Sequence, residues 1–177
     1  MPELYNPTIK DFLIVETDAS QTTWARCMRA LPNGKEKLSL NEKGEIEESK
    51  DLQAIKSIDY SASKILIMDN EKLHLCKYIS DTFTDTKFRY HIQELETLAC
   101  VKILEKWKVE LLSSRFLLQI DSKYLIGFWK YKIKADHRQG RLIKWQIKLQ
   151  PFQPYNQYIK SELNSFADTL TREWSKP

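Results

Sequence analysis

Residues 12–20 read FLIVETDAS, a short apolar run that ends in acidic and small polar residues. β-Branched and aromatic side chains favour a strand, and their unbroken run indicates a buried one. Asp18 therefore lies where a buried strand ends, and sites in sheets flanked by helices gather at such ends. Glu16 competes for the same role, because alternation along a strand places it on the same face as Asp18. When Asp18 is considered alone, a role in a turn or as a capping residue also explains an Asp at this position.

The elements predicted on either side of this run indicate a mixed sheet flanked by helices. Further strands are predicted at 24–31, 73–79 and 115–120, with an extended segment at 152–160 that Pro154 limits to an edge or late strand. Helices are predicted at 90–111, after Asp121-Ser122, at 140–150 and at 164–174. The polar stretch 32–72 predicts a surface insertion between the second and third strands, with a weak helix near 49–58 and a weak strand at 64–68.

Length and composition narrow the class of protein. The chain has 177 residues, 42% of them hydrophobic, and a formal net charge of +4. This predicts one domain over residues 1–177 with a real core, and a charge that permits a polyanionic partner without requiring one. The cysteines include no CxxC pair, so a disulfide framework is not expected. No apolar run predicts a membrane span and no signal-peptide pattern opens the chain, so we expect an intracellular protein that is not secreted.

Three further acids occupy informative positions. Glu96 lies on the apolar stripe of the helix at 90–111, where an unpartnered carboxylate is costly and binds a proton or a cation. Asp121 ends the fourth strand directly before a helix, and Asp168 falls in the first turn of the last helix. Each also has an ordinary explanation. Glu96 can reach solvent from the stripe edge, Asp121 can cap a helix, and Asp168 suits the helix dipole.

Considered jointly, Asp18, Glu96, Asp121 and Asp168 occur in an order that can bring them to one edge of a sheet. Several carboxylates within a few ångströms repel, and all stay ionised only if divalent cations lie among them. Oxygen ligands without Cys or His favour Mg²⁺ or Mn²⁺ over zinc. Two such ions about 3.5–4 Å apart can hold the attacking and leaving oxygens of a phosphoryl displacement.

Five strings in the chain closely resemble the ribonuclease H domain of reverse transcriptases, especially those of plant pararetroviruses of the caulimovirus group and of gypsy-type retrotransposons. They are IVETDAS at 14–20, YH at 90–91 with ETLA at 96–99, IDSK at 120–123, GRLIKWQ at 140–146, and FADTLTRE at 166–173. Each string is weak alone. Five in the right order, over residues 11–31 and 73–174, are a specific signal.

The resemblance implies an α/β fold with a central five-stranded mixed sheet, and endonucleolytic hydrolysis of the RNA strand of RNA–DNA hybrids during reverse transcription. By carry-over, Asp18, Glu96, Asp121 and Asp168 are both catalytic residues and ligands of two Mg²⁺ ions, with Glu16 a bystander. Asp18 would bridge the ions, Asp168 would help hold the ion that activates water, and Glu96 and Asp121 would hold the ion at the leaving 3′ oxygen. The products would carry a 5′-phosphate and a 3′-hydroxyl.

The resemblance also implies partners and a location. The partners would be an RNA–DNA hybrid and the polymerase domain of the same polyprotein, in the host cytoplasm or in a viral or retroelement particle. Two features depart from the family pattern. The insertion at 32–72 is longer than expected, and could contact the polymerase domain, nucleic acid or nothing. Residues 158–165 lack the loop His that many ribonucleases H use in product release. Either activity is slower, or His137 or His91 substitutes, or the group works without it.

Basic and aromatic residues alternate in the segment 123–148, which contains eight Lys or Arg and one Asp. This pattern is typical of a surface that follows phosphates, with aromatic rings against sugars or bases. The alternative is a solvated face over a core stripe, because Arg141, Lys144 and Lys148 share one helix face beside an apolar one. We predict that a basic face docks the DNA strand through Lys130, Lys132, Lys134, Arg138 and Arg141.

Two rival functions are compatible with the same fold. One is a catalytically weak or inactive connector or hybrid-binding module of a reverse transcriptase, although such modules are expected to lose some of the acids that this chain retains. The other is an integrase core, but integrases carry their final Glu on a later helix than the one that holds Glu96. No glycine-rich phosphate loop and no GxSxG elbow is present in the sequence.

Overall fold

The computed structural model describes residues 3–20, 22–38, 40–43, 72–84, 90–130 and 140–159. Within these ranges the chain forms a series of strands and helices. In order they are β1 Phe12–Ala19, β2 Thr23–Leu31, α1 Gly34–Lys37, β3 His74–Thr82, α2 Ile92–Lys106, α3 Lys108–Leu111, β4 Phe116–Ile120, α4 Lys123–Lys130, α5 Gly140–Leu149 and β5 Pro154–Tyr158.

The described strands form one five-stranded mixed sheet in the order β3-β2-β1-β4-β5, which confirms the predicted architecture. β2 is antiparallel to both β1 and β3, whereas β4 is parallel to β1 and β5 is parallel to β4. Because β1 and β4 are parallel neighbours, with Glu16 opposite Gln119, their carboxyl ends leave the sheet at the same edge. This register brings Asp18 and Asp121 to that shared edge.

Two hydrophobic cores lie on the two faces of the sheet, because successive strand residues point to opposite faces. The larger core includes Leu13 and Val15 of β1 together with α2, α4 and α5. Phe12 and Ile14, the alternate residues of β1, belong to the smaller core. All three cysteines (Cys27, Cys76 and Cys100) are buried and free.

The helix predicted at 90–111 is two helices, because the backbone leaves helical geometry at Trp107, where φ is −104° and ψ is 22°. The apolar periodicity does not show this break, since both Trp107 and Leu111, four residues on, are buried. The predicted stripe also included Ile92, which is 45% exposed because it lies at the very start of α2.

The first part of the predicted insertion packs against the sheet rather than lying on the surface. Lys35 of α1 is only 7% exposed, and its Nζ donates hydrogen bonds to the carbonyl oxygens of Ile9 (2.7 Å) and Glu42 (2.9 Å). Leu38 and Leu40 pack against the smaller core. The weak helix and strand predicted at 49–58 and 64–68 lie outside the described residues, as does the final helix predicted at 164–174.

A buried carboxylate, that of Asp11, lies at the edge of the sheet where β1 begins. Asp11 is 3% exposed and accepts hydrogen bonds from the Tyr5 hydroxyl (3.0 Å) and from the backbone N–H groups of Thr8 (2.7 Å) and Asn33 (2.9 Å). Burial raises the pKa of Asp11, but the hydrogen bonds from Thr8, Asn33 and Tyr5 lower it by more, so the net pKa is lowered. The folded protein therefore stabilises the ionised form of Asp11.

We expect Asp11→Ala to lower the free energy of unfolding by about 2–4 kcal/mol at pH 7, because three donors lose a charged acceptor. The folded-state pKa of Asp11 is depressed, so its contribution is present above about pH 4 and is lost as the pH falls through the folded-state pKa. Urea unfolding should show the gap between wild type and Asp11→Ala narrowing below pH 4. Glu36→Ala, at an exposed site on α1, is the control. A gap that does not change with pH would contradict this account.

Candidate active site

Three of the four predicted acids lie on elements that meet at one edge of the sheet. Asp18 lies near the end of β1, Asp121 directly follows β4, and Glu96 lies in the second turn of α2, which packs against β1. All three side chains are half-buried. Asp168 lies outside the described residues, so its placement stays a prediction.

The pKa of Glu96 shows that these acids are electrostatically coupled. Burial raises this pKa, a hydrogen bond with the Ser122 side chain lowers it, and the negative charge of Asp121 raises it again. Weaker effects come from Arg26, which lowers the pKa, and from Asp18, which raises it; the net shift is upward. A carboxylate whose ionised form is disfavoured in this way binds either a proton or a cation.

A buried cation, which the sequence analysis missed, lies among the same acids. Arg26 of β2 is 1% exposed, and its Nη1 donates hydrogen bonds to the carbonyl oxygens of Asp18 and Ala25. Burial lowers the pKa of Arg26 to about 10, although the neighbouring acids oppose this shift, so the side chain stays charged at neutral pH. The sequence did carry a signal: alternation along β2 places Arg26 on the same face as Trp24 and Met28, both core residues.

The chemistry of the donor set suits a hard divalent cation, because every candidate ligand is a carboxylate oxygen. In the described part of the chain, however, no three His, Cys, Asp or Glu side chains are arranged as a metal-binding group.

Glu16, the competitor of Asp18 on β1, has a structural partner. Its Oε2 lies 2.7 Å from Nη2 of Arg29 and accepts a 3.5 Å hydrogen bond from the Cys27 thiol. Glu16 is 3% exposed, so the ion pair with Arg29 offsets a buried negative charge. Glu16 thus has a role in the sheet that does not involve the other acids.

Of the predicted basic face, only the side chain of Arg141 is described. The side chain of Lys130 lies outside the described part, as do Lys132, Lys134 and Arg138. The guanidinium of Arg141 forms an ion pair with Glu94 and lies 3.8 Å from the centre of the Tyr90 ring. Its charge is therefore partly balanced within the protein, and any contact with a phosphate has to compete with Glu94.

Helix α5 has the amphipathic pattern that the sequence predicts. Trp145 and Leu149 are buried, whereas Arg141, Lys144 and Lys148 are exposed. Lys148 nevertheless forms an ion pair with Glu105 of α2 at 2.9 Å, so this basic face helps to hold α5 against α2. Of the two histidines considered as substitutes for the loop His, His91 is exposed immediately before α2, and His137 lies outside the described residues.

The sheet order, with acids at the ends of its two central parallel strands and on the helix that packs on them, defines a ribonuclease H-like domain. The family model described as the RNase H-like domain found in reverse transcriptase matches residues 50–152, a range that includes Glu96 and Asp121. The chain belongs to this family.

Relatives agree with this assignment, and a solved structure agrees with the fold. The chain is 55% identical over 195 residues to the enzymatic polyprotein of soybean chlorotic mottle virus, and 39% identical over 173 residues to that of Cestrum yellow leaf curling virus. The alignments cover 100% and 98% of this chain but only 28% and 23% of those polyproteins. The fold is similar to that of a foamy viral protease-reverse transcriptase, with a TM-score of 0.54, 16% identity, and coverage of 89% of this chain and 25% of that one.

These comparisons confirm the predicted resemblance to caulimovirus-type reverse transcriptases, whereas the resemblance to gypsy-type retrotransposons stays a prediction. In the part of the chain that is described, no helix is both long and apolar enough to cross a bilayer.

Proposed function

We propose that this domain cuts the RNA strand of RNA–DNA hybrids endonucleolytically during reverse transcription. The observation that supports this most is the convergence of Asp18, Glu96 and Asp121, from three separate elements, at one edge of a ribonuclease H-like sheet. Among the described residues these three acids outnumber the single positive charge of Arg26 beside them, so part of their mutual repulsion is not balanced. Their convergence is therefore more readily understood as the requirement of a reaction than of packing.

The acids would hold two Mg²⁺ ions, for which Mn²⁺ can substitute. Asp18 would lie between the two sites, Asp168 at the side of the attacking water, and Glu96 and Asp121 at the side of the leaving 3′ oxygen. When bound, such ions supply a nucleophilic water at neutral pH and offset the charge that develops on the leaving oxygen. Within the chain, the Ser122 side chain hydrogen-bonds Glu96 and so favours its ionised, ligating form. The proposed products carry a 5′-phosphate and a 3′-hydroxyl.

The hybrid would be held by phosphate contacts from the basic segment that contains Lys130, Lys132, Lys134 and Arg138, with Arg141 at its end. Such contacts supply affinity and position without reading sequence. The chain spans about a quarter of the length of its polyprotein relatives, which supports a polymerase domain of the same polyprotein as a partner. The proposed location is the host cytoplasm or a viral or retroelement particle.

The alternative function is a catalytically weak or inactive connector, or hybrid-binding module, of a reverse transcriptase. One observation favours it: the positive charge of Arg26 already offsets part of the negative charge that would attract metal ions. An inactive module would bind hybrids without cutting them.

A cleavage assay separates the two functions. The full chain is incubated with an RNA–DNA hybrid labelled on the RNA strand, with Mg²⁺ or with EDTA, beside single-stranded RNA and duplex DNA of the same sequence. We expect cuts in the RNA of the hybrid only, with 5′-phosphate ends, and none in EDTA. Retained hybrid binding without cleavage in either Mg²⁺ or Mn²⁺ would support the inactive module, and cleavage in EDTA would refute the metal mechanism.

A further inference from the structure

Arg26 ranks first by volume among the fully buried side chains of the described residues, and its burial is unusual for a charged group. Its Nη1 donates to the carbonyl oxygens of Asp18 and Ala25, but its Nε has no hydrogen-bond partner in the described part of the chain. A buried guanidinium whose donors are not all used is costly unless nearby negative charges compensate it.

The compensating charges come from the candidate active site. Asp18, Asp121 and Glu96 all act on Arg26 electrostatically, as does the thiol of Cys100. Burial raises the pKa of Cys100 to about 12, so this thiol is neutral at pH 7 and contributes no charge. Among the described residues, the carboxylates of Asp18, Asp121 and Glu96 therefore supply the negative charge that balances Arg26.

The other arginine of β2, Arg29, has a carboxylate partner of its own, although its Nε, like that of Arg26, has no hydrogen-bond partner in the described part of the chain. Arg29 lies three residues further along the same strand and forms a 2.7 Å ion pair with Glu16, which is not one of the candidate ligands. The two arginines of β2 thus interact with different carboxylates. Arg29 is consequently a matched control for any effect of Arg26.

On the basis of the proposed function, we propose that Arg26 is a positioning residue. Until metal binds, its positive charge substitutes for a cation among Asp18, Glu96 and Asp121. Its charge holds the three acids together in the metal-free protein, and its hydrogen bond to the carbonyl oxygen of Asp18 fixes the end of β1. The same charge repels an incoming cation, so Arg26 also weakens the affinity of the acids for Mg²⁺.

Isothermal titration of the full chain with Mg²⁺ tests the effect on affinity. We expect the Kd for Mg²⁺ to fall about tenfold in Arg26→Met, because a buried positive charge near a divalent cation is removed. Arg26→Lys, which keeps the charge, and Arg29→Met, which removes a charge elsewhere, should stay within about twofold of wild type. An unchanged Kd in Arg26→Met overturns the proposal. A wild-type chain that binds no Mg²⁺ instead refutes the metal site of the proposed function.

Thermal unfolding in EDTA tests, in the absence of metal, whether the charge of Arg26 and the charges of the three acids stabilise each other. The three acids are neutralised together (Asp18→Asn, Glu96→Gln and Asp121→Asn), once with Arg26 present and once with Met at this position. Neutralisation should lower the Tm when Arg26 is present, because its charge loses its partners, and raise the Tm in the Arg26→Met background, because only repulsion is removed. A Tm change of the same sign in both backgrounds overturns the proposal.

If the Arg26→Met chain does not fold in EDTA, two other measurements still test the proposal. Folding of that chain on addition of Mg²⁺ supports the proposal, since the metal then replaces the missing charge. The chain that keeps Arg26 also gives a decisive result without the Met variant. A lower Tm on neutralising the three acids supports the proposal that they balance the charge of Arg26, and a higher Tm overturns it.

Discussion

Asp121→Asn should reduce the rate of hybrid cleavage by more than about 100-fold while the protein stays folded. Replacing groups that merely support metal ligands costs about 10–100-fold in metal affinity or activity, so replacing a ligand should cost more. The change is nearly isosteric, so the fold should be kept, with a modestly lower Tm because Arg26 loses one of the charges that balance it. Single-turnover cleavage of a labelled hybrid at saturating Mg²⁺ measures the rate, and circular dichroism measures the fold.

Asp81→Asn is the matched control for this substitution. Asp81 is also an acid near the end of a strand, but it is exposed on β3, the edge strand of the sheet. Its replacement should leave cleavage within about twofold of wild type, because its exposed side chain accepts a local hydrogen bond from the Thr82 N–H (2.8 Å) that the Asn oxygen can also accept. Equal rates for the wild-type and Asp121→Asn chains would remove Asp121 from the site. Equal losses in the Asp81 and Asp121 variants would point to a general effect on folding.

The parts of the site that the sequence predicts are those that depend on local patterns. Asp18 and Asp121 follow from apolar runs that end in an acid, and Glu96 follows from the stripe of one helix. The sequence alone does not show that β1 and β4 are adjacent, because strand pairing joins residues about a hundred positions apart. The resemblance to a known family implied a central five-stranded mixed sheet, and the observed order of that sheet places β1 beside β4.

The features that the sequence does not reveal depend on the tertiary contacts of individual side chains. Arg26 looks like a surface cation until alternation along β2 is read together with its neighbours, and its partners come from three other elements. Arg141 counts as a free phosphate contact in the sequence, whereas the structure pairs it with Glu94, 47 residues away. The break at Trp107 is invisible because the apolar period continues through it. Such features depend on tertiary contacts rather than on local propensity.

The second large effect concerns the basic segment after α4. Replacing Lys132, Lys134 and Arg138 together by Ala should weaken hybrid binding about 100-fold near 0.1 M salt, because three phosphate contacts are lost. The slope of log K against log salt should become less steep by about 2–3 units, since each lost contact no longer releases a counterion. Fluorescence anisotropy of a labelled hybrid in EDTA, at several salt concentrations, measures both quantities without cleavage. Arg141→Ala alone should have a smaller effect, since Glu94 already balances its charge.

A matched triple variant distinguishes this local effect from a loss of overall positive charge. Lys10, Lys37 and Lys43 are exposed, and Lys10 directly precedes the edge of the sheet where β1 begins, away from the acids. Their joint replacement by Ala removes the same net charge, so it should reduce affinity only through long-range steering, which is screened beyond about 10 Å at 0.1 M salt. If both triple variants changed affinity and slope equally, binding would depend on net charge, and the basic segment would not be the docking face.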